Sequence, residues 1–243
     1  MPRGLGKKTL AKQTIAAAVK RRQTRRYKRS MKSASTSIAT SYKLFPVRKT
    51  VILKYNDQLA YNGSAASLQV YAMNNLYDLD YTNGGTNSQP RGYDTLSSLY
   101  NRYICYSGTA YITAHSLDTT NGSFMVAYPT LQPGPTLTAY PNIKPLSEQT
   151  GARQVYLPKS GDSKTIKVHF SCKNQFGIPL KEIKDNATVY GSTTSGAPSR
   201  VGYINIVGYP GDFNIGTTNT NIVFTVKLRL KCIFLQQAQD LSQ

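Results

Sequence analysis

The sequence predicts an all-β fold, a two-layer sandwich or jelly roll carried behind a basic N-terminal arm. Three observations predict it. Strand-type segments recur along the chain, separated by long turn-rich loops, with no alternation of strands and helices. Two of those segments show a clean period of two. The charge also changes abruptly. The first 54 residues hold sixteen Lys and Arg and no Asp or Glu, and the first acid is Asp57.

The formal net charge is +19 over 243 residues; removing the +16 of the first 54 leaves +3 for the remainder. A block of like charge repels itself and does not collapse into a core. Residues 1–45 therefore read as a largely disordered arm and residues 46–243 as the folded domain. A length of roughly 190 residues suits one sandwich or barrel and buries a core without staples. Within the arm, Leu10, Ile15 and Val19 are too sparse for an amphipathic stripe. A short helix over Thr9–Arg22 needs a partner that neutralises its charge, and Ser30–Ser41 is a small-residue linker.

After Pro46 come the strands. Val47–Tyr55 is β-rich and meets a turn signal at Asn56-Asp57. Leu68–Met73 follows, then Asp78–Gly92, a loop dense in turn residues, and one or two helical turns over Tyr93–Leu99. Tyr103–Ala114 and Phe124–Tyr128 are separated by a turn near Asn121-Gly122. Pro129–Gln149 carries five prolines and reads as a surface loop with a short helix near Pro145–Gln149. Gln154–Leu157, Thr165–Cys172, Tyr203–Tyr209 and Asn221–Leu235 complete a set of eight strands, with Lys173–Ser199 mostly loop.

Two strands declare their faces. In the last, Ile222, Phe224, Val226, Leu228, Leu230, Cys232 and Phe234 alternate with Val223, Thr225, Lys227, Arg229, Lys231 and Ile233. The first set is expected to be buried, which leaves Lys227, Arg229 and Lys231 as a cationic stripe on the opposite face. In Thr165–Cys172, Ile166, Val168, Phe170 and Cys172 oppose Thr165, Lys167, His169 and Ser171.

No catalytic constellation is legible. His115 and His169 sit in separate strands without an acid or cysteine beside them, and no P-loop, nucleophile elbow or zinc pattern occurs. Cys105, Cys172 and Cys232 are an odd, widely spaced set inside apolar stretches, which reads as small buried hydrophobes rather than disulfides or metal ligands. Asp78, Asp80 and Asp94 are the nearest approach to a Ca²⁺ site; turn-forming Asp in a Gly-rich loop is the stronger reading, and no metal or cofactor is expected. Tyr77, Tyr81 and Tyr93 suit either an interface or the core. Three Asn-x-Ser/Thr matches, at Asn62, Asn121 and Asn186, are unremarkable in a chain this rich in those residues. No apolar run suits membrane insertion and the N-terminus lacks a secretory h-region, so the expected setting is reducing cytoplasm or nucleus.

The arm calls for a polyanion, and nucleic acid is the commonest in a cell. Its candidate contacts are Lys7, Lys8, Lys12, Lys20, Arg21, Arg22, Arg25, Arg26, Lys28, Arg29 and Lys32, joined by the Lys227, Arg229 and Lys231 stripe. Without a base-reading motif, these cations imply phosphate contact rather than sequence readout; Tyr27 adds a base-stacking ring. Arg21, Arg22, Arg25, Arg26, Lys28 and Arg29 also match a nuclear-import cluster, which implies host import receptors as partners. A cellular nucleic-acid-binding protein with a basic tail, ribosomal or chromatin-associated, would share the arm, but helix-turn-helix, RNA-recognition and zinc patterns are missing. A jelly-roll lectin or enzyme fits neither the arm nor the empty catalytic inventory.

One stretch carries a family resemblance. Asp78, Asp80, Gly84, Gly85, Gln89, Pro90, Arg91, Gly92, Tyr93 and Asp94 are followed by Leu99, Tyr100, Asn101, Arg102 and Tyr103, and Ser163-Lys164-Thr165-Ile166-Lys167 adds a lysine-bearing strand after a Gly turn. With the basic arm and the Pro-marked entry into an eight-stranded unit, this resembles the capsid proteins of circular, Rep-encoding single-stranded DNA viruses, the circovirus-like group. The resemblance implies a single eight-stranded jelly roll of two packed four-stranded sheets. It further implies self-assembly into a T=1 icosahedral virion shell of about sixty copies, with the arm lining the interior on single-stranded DNA. RNA is a possible substitute, since phosphate contacts do not discriminate the sugar. Such arms together would neutralise on the order of 1,000 phosphates. Assembly in the host nucleus and a structural, non-enzymatic role are implied as well.

Overall fold

The computed structural model describes residues 46–63, 66–83, 88–117, 122–134, 144–159, 163–211 and 220–235. The chain divides into two units, Met1–Pro46 and Val47–Gln243, and the second holds every element given below. The arm cations from Lys7 to Lys32, the import cluster, Tyr27 and the Thr9–Arg22 helix lie outside the described residues.

The strands are β1 (Arg48–Gly63), β2 (Ser67–Ala72), β3 (Arg102–Ser116), β4 (Ser123–Thr130), β5 (Arg153–Leu157), β6 (Lys164–Ser171), β7 (Gly191–Thr193), β8 (Tyr203–Pro210) and β9 (Thr220–Leu235). Four short helices join them: α1 (Tyr93–Ser97), α2 (Lys144–Ser147), α3 (Cys172–Phe176) and α4 (Leu180–Asp185). Among the described residues, no helix is long and apolar enough to cross a membrane.

Four antiparallel ladders pair strands from opposite halves of the β domain: β1 with β9, β2 with β8, β3 with β6 and β4 with β5. The domain is thus one long paired ribbon folded over on itself. Wrapping the ribbon adds two lateral ladders, β9 with β3 and β8 with β4. The result is two sheets, A in the order β1-β9-β3-β6 and B in the order β2-β8-β4-β5. This is the jelly-roll order, and it confirms the expected all-β fold. A fifth strand, β7, pairs with β3 in sheet A.

Three details differ from expectation. β1 runs through Asn56-Asp57 instead of turning there, in an unbroken sixteen-residue ladder with β9. Asn56 faces solvent, while the Asp57 carboxylate accepts the Tyr71 hydroxyl at 2.8 Å, so neither residue needs a turn to satisfy its side chain. The segment 173–199, expected as loop, contains α3, α4 and β7, each too short to leave a periodic signal. β7 forms at Gly191 because a Cβ there would collide with the Tyr103 carbonyl oxygen, so only glycine lets the backbone approach β3 this closely. Ile233, assigned to the exposed set of β9, is buried opposite Ile104. A β-bulge follows in β3 between Cys105 and Ser107.

The core lies between the sheets and is rich in tyrosine. Tyr71, Tyr93, Tyr100 and Tyr103 are fully buried, the last three against Phe234. A buried phenol usually finds a partner for its hydroxyl, although among the described residues that of Tyr100 has none. Tyr93 donates to the Thr194 carbonyl at 2.6 Å and Tyr103 to the Gly196 carbonyl at 2.9 Å, so loop backbone closes over the core. Cys105 and Cys232 face each other across β3 and β9, and Cys172 donates its thiol to the Cys105 carbonyl at 3.3 Å. All three are buried free thiols, and burial pushes Cys105 and Cys172 well above the usual thiol range.

Candidate nucleic-acid interface

In an antiparallel ladder, directly opposed residues share a face. The register of sheet A therefore gives the composition of its outer face. β9 contributes Lys227, Arg229 and Lys231, all exposed, as the alternation predicted. Beside them on β1 stand Asn56, Lys54 and Ile52. On the other side, β3 places Tyr111, Thr109 and Ser107. β6 then adds Lys167 opposite Tyr111 and His169 opposite Thr109.

Two rows thus cross the whole sheet. One runs Lys54–Arg229–Thr109–His169 and the other Asn56–Lys227–Tyr111–Lys167. The Lys167 ammonium lies 5.8 Å from the Tyr111 ring centroid. Thr109 Oγ1 and His169 Nδ1 are 3.3 Å apart, which fixes the imidazole on the surface. Ser107, Thr109, Tyr111, His169, Arg229 and Lys231 border a shallow depression of about 230 Å³.

None of the four paired strands places a carboxylate on this face; Asp57, their only described acid, points inward to Tyr71. None of Lys54, Lys167, Lys227, Arg229 and Lys231 has an ion-pair partner among the described residues. Five cations spread over a flat face without a counter-charge create a positive potential that attracts anions. The carbonyl and amide groups of an inner strand are already used in ladders, so binding here falls to side chains.

The stripe Lys227, Arg229 and Lys231 was legible from the period of β9. Lys54, Tyr111, Lys167 and His169 were not read as part of it. The alternation of β6 did put Lys167 and His169 on one face, but only the register joins that face to β9 through β3.

The acidic loop has a different job. Asp80 Oδ1 accepts the Gln69 side-chain amide at 2.6 Å and the backbone N–H groups of Thr82 and Asn83 at 3.2 Å. The Ser88 hydroxyl donates to Asp78 Oδ1 at 2.6 Å and accepts from the Asp80 N–H at 2.9 Å. These are loop-forming bonds, and among the described residues no group of three or more His, Cys, Asp or Glu could hold a metal ion. Two of the resemblance-bearing residues just beyond it shape the backbone. Arg91 N–H donates to the Lys54 carbonyl at 3.2 Å, and Gly92 takes φ 86° to start α1. Of the ambiguous tyrosines, Tyr93 is core, while Tyr77 and Tyr81 are exposed.

No family model matches the chain, and no curated protein does. Among solved structures, it is similar to the semi-empty VLP of a nodavirus of the giant freshwater prawn Macrobrachium rosenbergii. That match has 13% identity and a TM-score of 0.47, over 82% of this chain and 89% of that one. It is also similar to the BFDV capsid protein, described as a 60-mer, at 14% identity and a TM-score of 0.40, covering 82% and 100%. Desmodium yellow mottle tymovirus matches at 11% identity and 0.40, covering 81% and 88%.

Proposed function

We propose that this chain is the coat subunit of a small virus, a structural protein without catalytic activity. It assembles with copies of itself into a closed icosahedral shell and packages single-stranded DNA through its basic arm. The observation that carries this reading is the union of two parts: a complete jelly-roll strand order and a leading segment of sixteen cations with no acid. A jelly roll closes its sheets against each other and offers rigid edges and loops for contacts between copies. An acid-free arm has no acid of its own to pair with and gains its binding energy by releasing counterions from phosphates.

The resemblance to circovirus-like coat proteins supports single-stranded DNA as cargo and about sixty copies as the assembly. In this reading Lys227, Arg229 and Lys231 look into the particle, the arm lines the interior, and Arg21 to Arg29 also serve import into the host nucleus before assembly. Electron microscopy and light scattering of the purified protein test the core of the proposal. Particles of uniform size, carrying nucleic acid, are the expected result. Monomers under every salt and pH condition, with single-stranded DNA added, would overturn it.

A further inference from the structure

We infer that the outer face of sheet A is a second nucleic-acid site, one that binds the phosphodiester backbone of a single strand independently of the arm. This rests on the packaging role proposed above and assigns it a place on the folded domain. The site is wider than the β9 stripe. Its centre is the depression where Arg229 and Lys231 meet the hydroxyls of Ser107 and Thr109 and the ring of His169. Guanidinium, ammonium, hydroxyl and imidazole are all able to donate to phosphate oxygens.

The depression arises from the backbone. At the bulge after Cys105 the pattern of β3 resumes at Ser107, whose small side chain on the outer face leaves a hollow between longer neighbours on β9 and β6. Its volume of about 230 Å³ suits a phosphate with part of its sugar and is too small for a duplex. Lys54 and Lys167 continue the positive surface to either side, on β1 and β6, so a strand crossing the sheet meets a cation on each of three strands.

The face also holds a ring. Tyr111 is half-buried on β3, next to Lys227 on one side and Lys167 on the other. An aromatic surface flanked by cations is the pairing that binds single strands without base readout. The charge balance argues against plain solvation as the explanation. A face that only needed water would tolerate both signs, and mixed signs would limit self-repulsion. Here all the charged side chains have one sign.

Photocrosslinking tests the site in the full chain, using a single-stranded oligodeoxynucleotide carrying 5-iodouracil and mass-spectrometric mapping of the captured peptides. The expected crosslinks fall on Tyr111 or His169 in the domain and on Tyr27 in the arm. Arg229→Glu with Lys231→Glu should reduce domain capture about tenfold and leave arm capture in place. Arg229→Lys with Lys231→Arg should retain both. Circular dichroism of each variant excludes unfolding as the cause.

Tyr77, Tyr81 and Tyr156 are internal controls, since they are 41%, 49% and 49% exposed and lie off this face. Capture confined to the arm overturns the second site and leaves the packaging role standing. Domain capture spread over Tyr77, Tyr81 and Tyr156, or insensitive to the charge reversal, also overturns it. An absence of all crosslinks sinks the packaging role together with the site.

Discussion

The two sheets of this jelly roll bury similar inner faces and present opposite outer ones. Sheet A is open to solvent and cationic across Lys227, Arg229 and Lys231 of β9 and their neighbours on β1 and β6, and is covered at one end, where Ile104 and Ile233 are buried. Sheet B is covered. Val126, Tyr128, Val207 and Tyr209 on its outer side pack with Leu146 of α2, and Val70, Ala72 and Tyr203 form a second small cluster. Asn205, 2% exposed, is held there by the Tyr128 hydroxyl, which accepts from its amide at 3.3 Å, while its own Oδ1 accepts from Gly134 N–H at 3.2 Å. β2, β4 and β8 carry no Lys, Arg, Asp or Glu at all. The same lamination therefore yields one face closed largely by its own loops and another whose cations stay exposed. That difference is the reason the proposed nucleic-acid site is assigned to sheet A.

The sharpest way to break this comparison is to put charge on the covered face. Val207→Lys should cost about 3 kcal/mol or more, because the ammonium is buried without a partner. Lys227→Glu on sheet A should stay within about 0.5 kcal/mol. Urea unfolding of both variants is the check, and equal losses would erase the distinction between the faces.

Next in size is the arm. Deleting residues 1–42 should leave the strand spectrum of the domain intact and remove most of the co-purifying nucleic acid, read from the absorbance ratio at 260 and 280 nm. A full nucleic-acid load in the truncated protein would transfer packaging to sheet A alone.

The buried tyrosines respond to alkali. Burial, helped by the Asp57 carboxylate, pushes the Tyr55 phenol up to about 12, and burial with Tyr128 nearby pushes Tyr209 up to about 12. Tyr71, Tyr93 and Tyr103 are driven higher still, mainly by burial. The folded state holds these protons more tightly than the unfolded chain, whose phenols titrate near 10. Their contribution is complete below pH 10 and is lost as pH rises through 12 and beyond. Urea midpoints should fall across that window, and absorbance at 295 nm should show these tyrosines ionising only as the protein unfolds. A full tyrosine titration in still-folded protein would contradict the packing described for both sheets.

The smallest effect belongs to single neutralisations on sheet A. Lys54→Gln or Lys167→Gln should barely move stability, and each should flatten the slope of log K against log salt by about 0.7 if that residue touches one phosphate of a single strand. An unchanged slope in both variants would confine the contact to β9.

The same contrast governs how much was legible in the sequence. β9 and β6 alternate because one side of each meets water, so their buried and exposed sets could be read directly. In β8, the run from Tyr203 to Pro210 is buried on both sides and has no period to read, so its strand was visible and its faces were not. The all-β class and the cationic stripe were thus readable. The breadth of the interface was not, because Lys54, Tyr111 and Lys167 are neighbours only through ladder register, which depends on pairings between residues more than fifty positions apart. β1 was read too short for a related reason: the local turn signal at Asn56-Asp57 is outweighed by a long ladder and a hydrogen bond to Tyr71.

The three cysteines turn sheet A into its own stopwatch. Cys105 and Cys232 meet at the seam of β3 and β9, and Cys172 closes over Cys105, so no thiol is reachable while that seam is shut. A thiol reagent in excess would then report how often the β3–β9 seam parts, with no label to introduce. If the proposed shell forms, comparing that rate before and after assembly, with and without nucleic acid, would show whether nucleic acid or neighbouring copies hold the seam closed.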